Sequence, residues 1–240
     1  MALKPKYLKK SNTNSATQSN QLIEASYKMT VPAKRVMLLL LSQIHPMQQD
    51  VSQKVVIKAD DYARKTGLSL DQSYRDIKKG CSELMSTIIT TRNIVEKTTE
   101  KCVVVSWMKY HDNEGWLEAT FTNWIAPYIH ALSRMGYTTI AIDEAVKFKR
   151  FYTIRFYEIL MQYKSTGILL ISLDELRKVF QIEPKKYAMY ADFKKYVLAP
   201  SLKELSEKIG LPVICEPTKT GKKITGFRFC FTYSRIKMVF

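Results

Sequence analysis

Two short basic segments of the 240-residue chain hold the residues best suited to binding chemistry. Tyr74-Arg-Asp-Ile-Lys-Lys79 and Tyr190-Ala-Asp-Phe-Lys-Lys195 share a tyrosine, an aspartate and a pair of lysines at the same positions, 116 residues apart. Ammonium and guanidinium groups bind the oxygens of phosphate esters, and several on one helix offer a row of contacts to a polyanion. The two segments therefore indicate an anion-binding element that occurs twice.

Catalytic chemistry finds little support in the sequence. The histidines His45, His111 and His130 are scattered, and the His-x-His pair that metal-dependent DNA-nicking enzymes need does not occur. Asp60-Asp61 and Asp174-Glu175 could suggest a two-metal site, but each pair lies in the first turn of an expected helix, where carboxylates stabilise the helix dipole. A Walker-type phosphate loop is also missing. The sequence predicts no catalytic residue, no metal site and no cofactor.

The elements that would position the two basic segments also repeat. In the first half, residues 55–58 are expected to form a strand and residues 60–66 a helix ended by Gly67, and Ser69 opens a capping box for the helix of the first segment. In the second half a helix over 148–163, with Arg150, Arg155 and Lys164 between its apolar residues, precedes the same order. That order begins with a strand over 168–171 and a helix capped at Ser172. A long helix over 190–209 follows, and Pro200 is expected to kink it near Tyr196.

A β-hairpin is expected after each basic helix. In the first half, the β-rich runs 88–95 and 102–108 flank a polar turn. In the second half, strands over 212–216 and 225–232 flank the lysine-rich loop 217–223. Helix, turn, helix and hairpin make up a winged helix, so the sequence predicts an α+β protein with two pseudo-symmetric winged-helix domains.

Domain boundaries follow from composition. Residues 1–19, rich in Lys, Ser, Asn and Thr, are predicted to be a disordered basic tail. The first domain is placed at 20–134, a junction at 135–147 and the second domain at 148–240.

A first core helix is expected from about Pro32 to Ile44. The heptad spacing of Leu22, Met29 and Val36 offers a leucine zipper as a less favoured alternative.

The charge of the chain limits its partners. Lys and Arg number 38 against 22 Asp and Glu, a net charge of +16, and residues 146–240 hold 19 basic and 8 acidic residues, a net charge of +11. Nucleic acid, an anionic membrane and an acidic protein all fit this charge. The longest apolar run, 36–41, is far shorter than the ~20 residues of a spanning helix, and no signal peptide is visible. We therefore expect a cytoplasmic protein without a membrane partner, whose four cysteines are reduced and mostly buried.

The lysines suit double-stranded DNA. In a helix-turn-helix the second helix enters the major groove, and residues near its N-terminus contact base edges while flanking cations contact phosphates. Lysines at a hairpin tip suit phosphate contact, where charge matters more than geometry. Tyrosines among these cations could donate to phosphates, although Tyr190 is better explained as core. The predicted DNA-binding residues are Arg75, Lys78, Lys79, Lys185, Lys186, Tyr187, Lys194, Lys195, Tyr196, Lys219, Lys222 and Lys223.

Three motifs carry a resemblance to a known family. Gln18-Ser-Asn-Gln-Leu-Ile-Glu-Ala-Ser-Tyr27, Tyr152-Thr-Ile-Arg-Phe-Tyr-Glu-Ile-Leu160 and Tyr190-Ala-Asp-Phe-Lys-Lys195 resemble the replication initiators of iteron-containing plasmids. The resemblance implies a monomer that binds directly repeated origin DNA with both winged-helix domains, opens the origin and recruits the host initiator protein and the replicative helicase. It also implies a dimer that binds an inverted repeat at its own promoter and represses it.

Other functions use some of the same features. A transcriptional repressor without a role in replication would need the same helices and hairpins. A rolling-circle nicking enzyme would need the missing His-x-His pair, and a binder of acidic proteins would need only the charge. The motifs favour the initiator.

Overall fold

Helices and short strands alternate along the chain in two similar series. The computed structural model describes residues 14–44, 54–93, 97–111, 114–129 and 136–234. The first series contains β1 (Ser15–Ser19), α1 (Asn20–Glu24), α2 (Val31–Leu41), β2 (Val55–Lys58), α3 (Ala59–Thr66), α4 (Leu70–Leu84), β3 (Ile88–Asn93), β4 (Thr98–Val103), β5 (Val105–His111), β6 (Trp116–Phe121) and α5 (Ala126–Ile129). The second contains β7 (Tyr137–Ala141), α6 (Ile142–Ala145), α7 (Phe151–Gln162), β8 (Ile168–Ser172), α8 (Leu173–Val179), α9 (Tyr190–Phe193), a π-helical segment (Lys194–Leu198), α10 (Ala199–Ile209), β9 (Val213–Thr220) and β10 (Lys223–Phe231).

Two sheets of the same topology confirm the predicted fold. The first module, α2 to β6, builds an antiparallel sheet in the order β2-β6-β5, and the second module, α7 to β10, builds one in the order β8-β10-β9. In both, one helix precedes the first strand and a helix-turn-helix separates it from the other two strands. This is the winged-helix order, and with its mixed helices and sheets the chain is an α+β protein with two winged-helix modules.

The hairpin predicted for the first module was divided wrongly. Run 102–108 belongs to two strands, because β4 pairs with β3 (Ile88 opposite Val103), whereas β5 pairs with β6. The chain passes from one ladder to the other at Val104, which is fully buried. A continuous run of β-branched residues signals extended backbone but not its pairing partner, so the break was invisible in the sequence. The topological counterpart of β9–β10 is therefore β5–β6, and β3–β4 is an additional hairpin of the first module.

The segment predicted as a disordered tail is ordered in its last part. Residues 15–19 form β1, which pairs antiparallel with β7 from Ser15 opposite Ala141 to Ser19 opposite Tyr137. Ala16 and Gln18 are buried, and the Thr17 and Thr139 hydroxyls lie 3.0 Å apart. Polar side chains do not prevent a strand when its backbone finds a partner, and that partner lay in the supposed junction 135–147. Residues 1–13 lie outside the described residues.

Helix α7 joins the two modules through one continuous set of buried side chains. Phe156 packs against Phe229, with ring centroids 4.8 Å apart, and against Phe180, in the core of the second module. Deleting a buried ring of this kind costs about 3–5 kcal/mol of stability. Arg155, expected between the apolar residues on the outside of this helix, is instead fully buried against the N-terminal part of the chain.

Several smaller expectations are settled by burial and backbone geometry. Leu22, Met29 and Val36 are buried inside the first half, so the zipper is wrong. Where a kink caused by Pro200 was predicted, near Tyr196, the chain forms the π-helical segment, in which the Ala199 N–H bonds the Lys194 carbonyl, five residues back. The cysteines are free as predicted, but only Cys81 is buried and the other three are half-buried. Among the described residues, no helix has the length and apolarity needed to cross a membrane.

Candidate nucleic-acid interface

Helix α4 carries the first predicted cluster on its solvent side. Ser69 caps it by accepting from the Gln72 N–H, and the side chains of Ile77, Cys81 and Leu84 are buried beneath it. Their spacing of three and four residues leaves the opposite side of the helix in solvent. On that side Arg75, Lys78 and Lys79 are all exposed, so the structure places the three predicted cations together.

The β5–β6 hairpin, which we name the first wing, packs beside α4. The Tyr110 hydroxyl donates to the Lys78 carbonyl at 2.7 Å, and the Lys78 Nζ lies 5.3 Å from the centre of the Tyr110 ring. A cavity of about 190 Å³ separates helix and hairpin at this point; its lining includes Tyr74, Arg75, Lys78, His111 and Trp116. An aromatic and cationic groove therefore runs along the N-terminal half of α4.

His111 and Trp116 form the pair at the turn end of the first wing and were missed by the sequence analysis. Their rings stack with centroids 3.5 Å apart, and the Trp116 Nε1–H donates to Glu114 at 2.7 Å. His111 also lies 3.5 Å from a Glu118 oxygen. The sequence analysis had not paired these strands, although the short polar stretch that ends in Gly115 between the two residues is a local hairpin signal.

In the second module a long turn precedes the basic helix, and Arg177 organises it. The turn from α8 to α9 spans residues 180–189, and the Arg177 guanidinium donates to four of its carbonyls. The acceptors are Glu183 at 2.8 Å, Pro184 at 3.3 Å, Lys186 at 2.7 Å and Tyr187 at 2.8 Å. These bonds hold the backbone of Tyr187 in the left-handed region, at φ +50°, which residues other than glycine rarely adopt without support. Sequence reasoning had not singled out Arg177, because an arginine at the end of a short helix usually faces solvent.

Four of the predicted residues meet where this turn touches the π-helical segment. The rings of Tyr187 and Tyr196 stack with centroids 5.5 Å apart. The Lys186 Nζ lies 5.3 Å from the Tyr187 ring centre, and the Lys195 Nζ lies 5.1 Å from that of Tyr196. Close cations and aromatic faces attract one another, so each lysine is held near the surface. We name Lys186, Tyr187, Lys195 and Tyr196 the tyrosine–lysine cluster.

The other predicted residues of the second helix-turn-helix lie beside this cluster. Lys194 is exposed at the start of the π-helical segment, and Lys185 is exposed in the preceding turn. Tyr190 is half-buried and stacks on Phe227 at 6.2 Å, which agrees with its assignment to the core. The lysine candidates in this region are therefore all exposed, and Tyr190 packs in the core of the second module.

The β9–β10 hairpin, which we name the second wing, carries three exposed lysines. Its strands reach further than expected and leave a two-residue turn, in which Gly221 has φ +61°. Lys219 lies on β9, Lys222 lies in the turn and Lys223 begins β10. A tight hairpin turn needs the left-handed conformation that glycine adopts without strain. The cations are thus concentrated at the tip of the hairpin.

The described part of the chain contains no group of three or more His, Cys, Asp or Glu side chains able to hold a metal ion. Asp60 and Asp61 lie in the first turn of α3, and Asp174 and Glu175 in the first turn of α8, where carboxylates stabilise the helix dipole. Glu175 completes a capping box with Ser172, whose hydroxyl and backbone hydrogen bonds lower the pKa of the carboxyl.

Comparison with protein families decides what this pair of basic winged helices is. A model described as "Initiator Replication protein, WH1" matches residues 15–161, and one described as "Initiator Rep protein, WH2" matches residues 172–231. The chain belongs to the initiator replication protein family. The family boundary leaves α7 with the N-terminal part of the initiator, whereas the topology makes α7 the first helix of the second module.

Individual relatives agree with this assignment. The initiator is 25% identical to the PI protein of Escherichia coli, in an alignment covering 88% of this chain and 80% of that protein. It is 24% identical to a replication initiation protein of Escherichia coli, over 85% of this chain and 66% of that protein. Among solved structures it is similar to the Pi initiator protein in complex with iteron DNA. That match has a TM-score of 0.81 and 23% identity, and covers 93% of this chain and 98% of that one.

Proposed function

We propose that this initiator binds the directly repeated sequences of a plasmid origin with both modules of one monomer. The observation that carries the proposal is the presence of two winged-helix modules, each with exposed cations on its second helix. The similar Pi initiator was crystallised with iteron DNA, which supports the same class of ligand here. A single chain with two such helices can occupy two successive major-groove segments.

The exposed residues divide into two roles in this proposal. Arg75, Lys78 and Lys79 of α4, and Lys194 and Lys195 of the second helix, contact base edges and the flanking phosphates. Cations of the 180–189 turn and of the second wing contact phosphates, because flexible ammonium groups provide charge without fixed geometry. The phosphate group comprises Lys185, Lys186, Lys219, Lys222 and Lys223, with the hydroxyls of Tyr187 and Tyr196 as added donors.

Binding at the repeats would begin plasmid replication in the cytoplasm. In this proposal the bound initiator opens the origin and recruits the host initiator protein and the replicative helicase, and it performs no chemical step itself. A dimer of the same chain binds an inverted repeat at its own promoter and represses it. A repressor without a replication role is the second candidate, because it would use the same helices and wings.

Footprinting separates these functions. Purified protein is incubated with plasmid DNA that carries direct repeats and the promoter upstream of the coding sequence. Protection of evenly spaced direct repeats is the expected result. Protection of the promoter's inverted repeat alone would leave a repressor, and no protection at all would favour an acidic protein partner.

The salt dependence of binding gives an independent test. About 6–10 phosphate contacts should produce a slope of about −5 to −9 when the logarithm of the binding constant is plotted against that of the salt concentration. A slope near zero would contradict the DNA-binding proposal.

A further inference from the structure

A fully buried group of polar and charged side chains lies where α7 meets the N-terminal part of the chain. The Lys34 Nζ lies 2.7 Å from one Glu158 oxygen, and Arg155 donates to the other at 2.8 Å. Both cations also donate to the Tyr27 hydroxyl, and Gln18 donates to Glu158 at 2.8 Å. All five side chains are completely buried. We name Gln18, Tyr27, Lys34, Arg155 and Glu158 the seam network.

The seam network joins elements that are far apart in the sequence. Gln18 lies on β1, Lys34 on α2, and Arg155 and Glu158 on α7. Arg155 also donates to the backbone carbonyls of Ile23 and Ala25, at 2.6 and 2.9 Å. Another face of α7 packs into the second module through Phe156. The network therefore fixes the first helix of the second module against the first half of the chain.

A second set of contacts connects this seam to the basic helix of the first module. Arg35, next to Lys34 on α2, donates to the Phe148 carbonyl at 2.9 Å, just before α7. The Arg35 charge also lies close enough to Tyr62 to oppose the burial that raises the pKa of its hydroxyl, and that hydroxyl donates to Asp76 of α4 at 3.2 Å. Tyr62 thus contacts α4, and its neighbour Arg35 contacts the backbone that enters α7.

The composition of the network indicates specificity rather than stability. It buries two cations and one carboxylate, and the Gln18 Oε1 and Arg155 Nε atoms have no hydrogen-bond partner among the described residues. Burial lowers the pKa of Lys34 to about 8, although Glu158 opposes the shift. Buried ion pairs are often no more stable than apolar residues of the same size, but a displaced arrangement would leave charges uncompensated, at a cost of several kcal/mol. An apolar contact would allow α7 to shift along the first half of the chain, whereas these charged groups are all paired in only one arrangement.

We propose that the seam network sets the distance and orientation between the two DNA-contacting helices, and so determines the spacing of the two DNA segments that one monomer accepts. The inference rests on the proposed function, because it requires both modules to contact one repeat. Its residues touch no DNA; they are positioning residues that act through α7 and α2.

The test uses a triple variant that replaces the charges with apolar side chains, Lys34→Met, Arg155→Met and Glu158→Leu. The probe is a duplex carrying one repeat protected in the footprint, together with duplexes that have one base pair inserted or deleted between its two contacted segments. Wild-type protein should strongly prefer the native spacing. In the triple variant this preference should fall by about tenfold, the usual scale of coupling between two sites, with binding to the native duplex less affected.

An exposed ion pair supplies the matched control. Lys203 and Glu207 of α10 lie 3.6 Å apart in solvent, and Lys203→Met with Glu207→Leu replaces one cation and one carboxylate by the same apolar side chains outside the seam. This variant should keep the wild-type spacing preference. Equal preferences in the wild type and in the folded triple variant would overturn the inference, whereas failure of the wild type to bind any direct repeat would overturn the proposed function instead.

Milder variants keep the inference testable if the triple variant does not fold. Tyr27→Phe removes the hydroxyl shared by Lys34 and Arg155, and Gln18→Leu removes one bond to Glu158. Each should reduce the spacing preference by a larger factor than it reduces affinity for the native duplex. A loss of affinity that is uniform across all spacings would assign the network a purely structural role and reject the proposal.

Discussion

The two wings differ in charge although they occupy the same topological position. The second wing exposes Lys219, Lys222 and Lys223 around a glycine turn. The first wing has the exposed carboxylate of Glu114 near its turn end, where the His111 and Trp116 rings stack. A carboxylate at the turn end of a hairpin repels phosphates, whereas the three lysines of the second wing attract them. The same fold thus carries two wings whose turn ends differ in charge.

The turns before the two basic helices differ as well. The first module uses three residues, 67–69, in which Gly67 adopts φ +71°. The second uses ten residues, held by the Arg177 guanidinium and including Tyr187 at φ +50°. The same change of direction is therefore produced once by the conformational freedom of glycine and once by a side chain that bonds the backbone. The longer turn also brings Lys186 and Tyr187 to the surface next to Tyr196.

The largest expected effect concerns the second basic helix. Replacing both Lys194 and Lys195 by alanine should cost about 3 kcal/mol of specific binding if either contacts a base, since one good base contact contributes about 1–3 kcal/mol. The measurement is the dissociation constant on the footprinted repeat and on a scrambled duplex. Lys203→Ala with Lys208→Ala, on exposed positions of α10, is the matched control. Equal losses on both duplexes would restrict Lys194 and Lys195 to phosphate contact.

Removal of the Arg177 guanidinium should have the next largest effect. Arg177→Met leaves several carbonyls of the 180–189 turn without their donor, and hydrogen bonds to charged groups contribute about 1.5–3 kcal/mol each when buried. Because this turn is partly exposed, we expect a decrease of about 2 kcal/mol in the free energy of unfolding, measured by urea denaturation. Lys178→Met, at the neighbouring exposed position, should be nearly neutral. If Arg177→Met left the free energy of unfolding unchanged, the turn would keep its conformation without the guanidinium hydrogen bonds.

The charge difference between the wings can be reversed by substitution. Lys222→Ala with Lys223→Ala should weaken binding to every DNA sequence alike, by about tenfold at low salt, and reduce the salt slope by about 1 per lysine. In the opposite direction, Glu114→Lys in the first wing should raise affinity for all DNA and steepen the slope. Filter binding across a salt series measures both. If Glu114→Lys left the slope unchanged, the first wing would lie away from the phosphates.

The smallest effect is expected at the glycine turn. Gly67→Ala places a side chain at φ +71°, where no atom lies within 4 Å of the added Cβ, so strain in the backbone is the main cost. A loss of about 1 kcal/mol in the free energy of unfolding is expected from thermal or urea melts. A larger loss, comparable with that of Arg177→Met, would mean that the stability of the protein depends equally on the conformation of both turns.

Local features of the sequence predicted the fold well. Ser69 and Ser172 begin helices and Gly67 ends one, because caps depend on residues a few positions apart. The repeated order of strand and helices then fixed the winged-helix topology. The exposed positions of Arg75, Lys78 and Lys79 followed from the helical periodicity of α4.

Features that depend on distant partners were missed. Pairing of β1 with β7, and the division between β4 and β5 at Val104, depend on which backbone lies opposite rather than on residue type. Burial of Arg155 is stabilised by Glu158 nearby and by Tyr27, 128 residues earlier. An isolated arginine on a helix indicates solvent, and only the complete structure supplies the partners that make its burial possible.

The pairing of β1 with β7 also has a consequence for synthesis of the chain. Ser15 leaves the ribosome long before Ala141, its partner in the ladder. At about 5–20 residues per second, the interval is on the order of ten seconds. Through that time β1 has no partner strand, and Gln18 lacks the carboxylate of Glu158. The first half of the nascent protein therefore cannot reach its final form until the beginning of the second half has emerged.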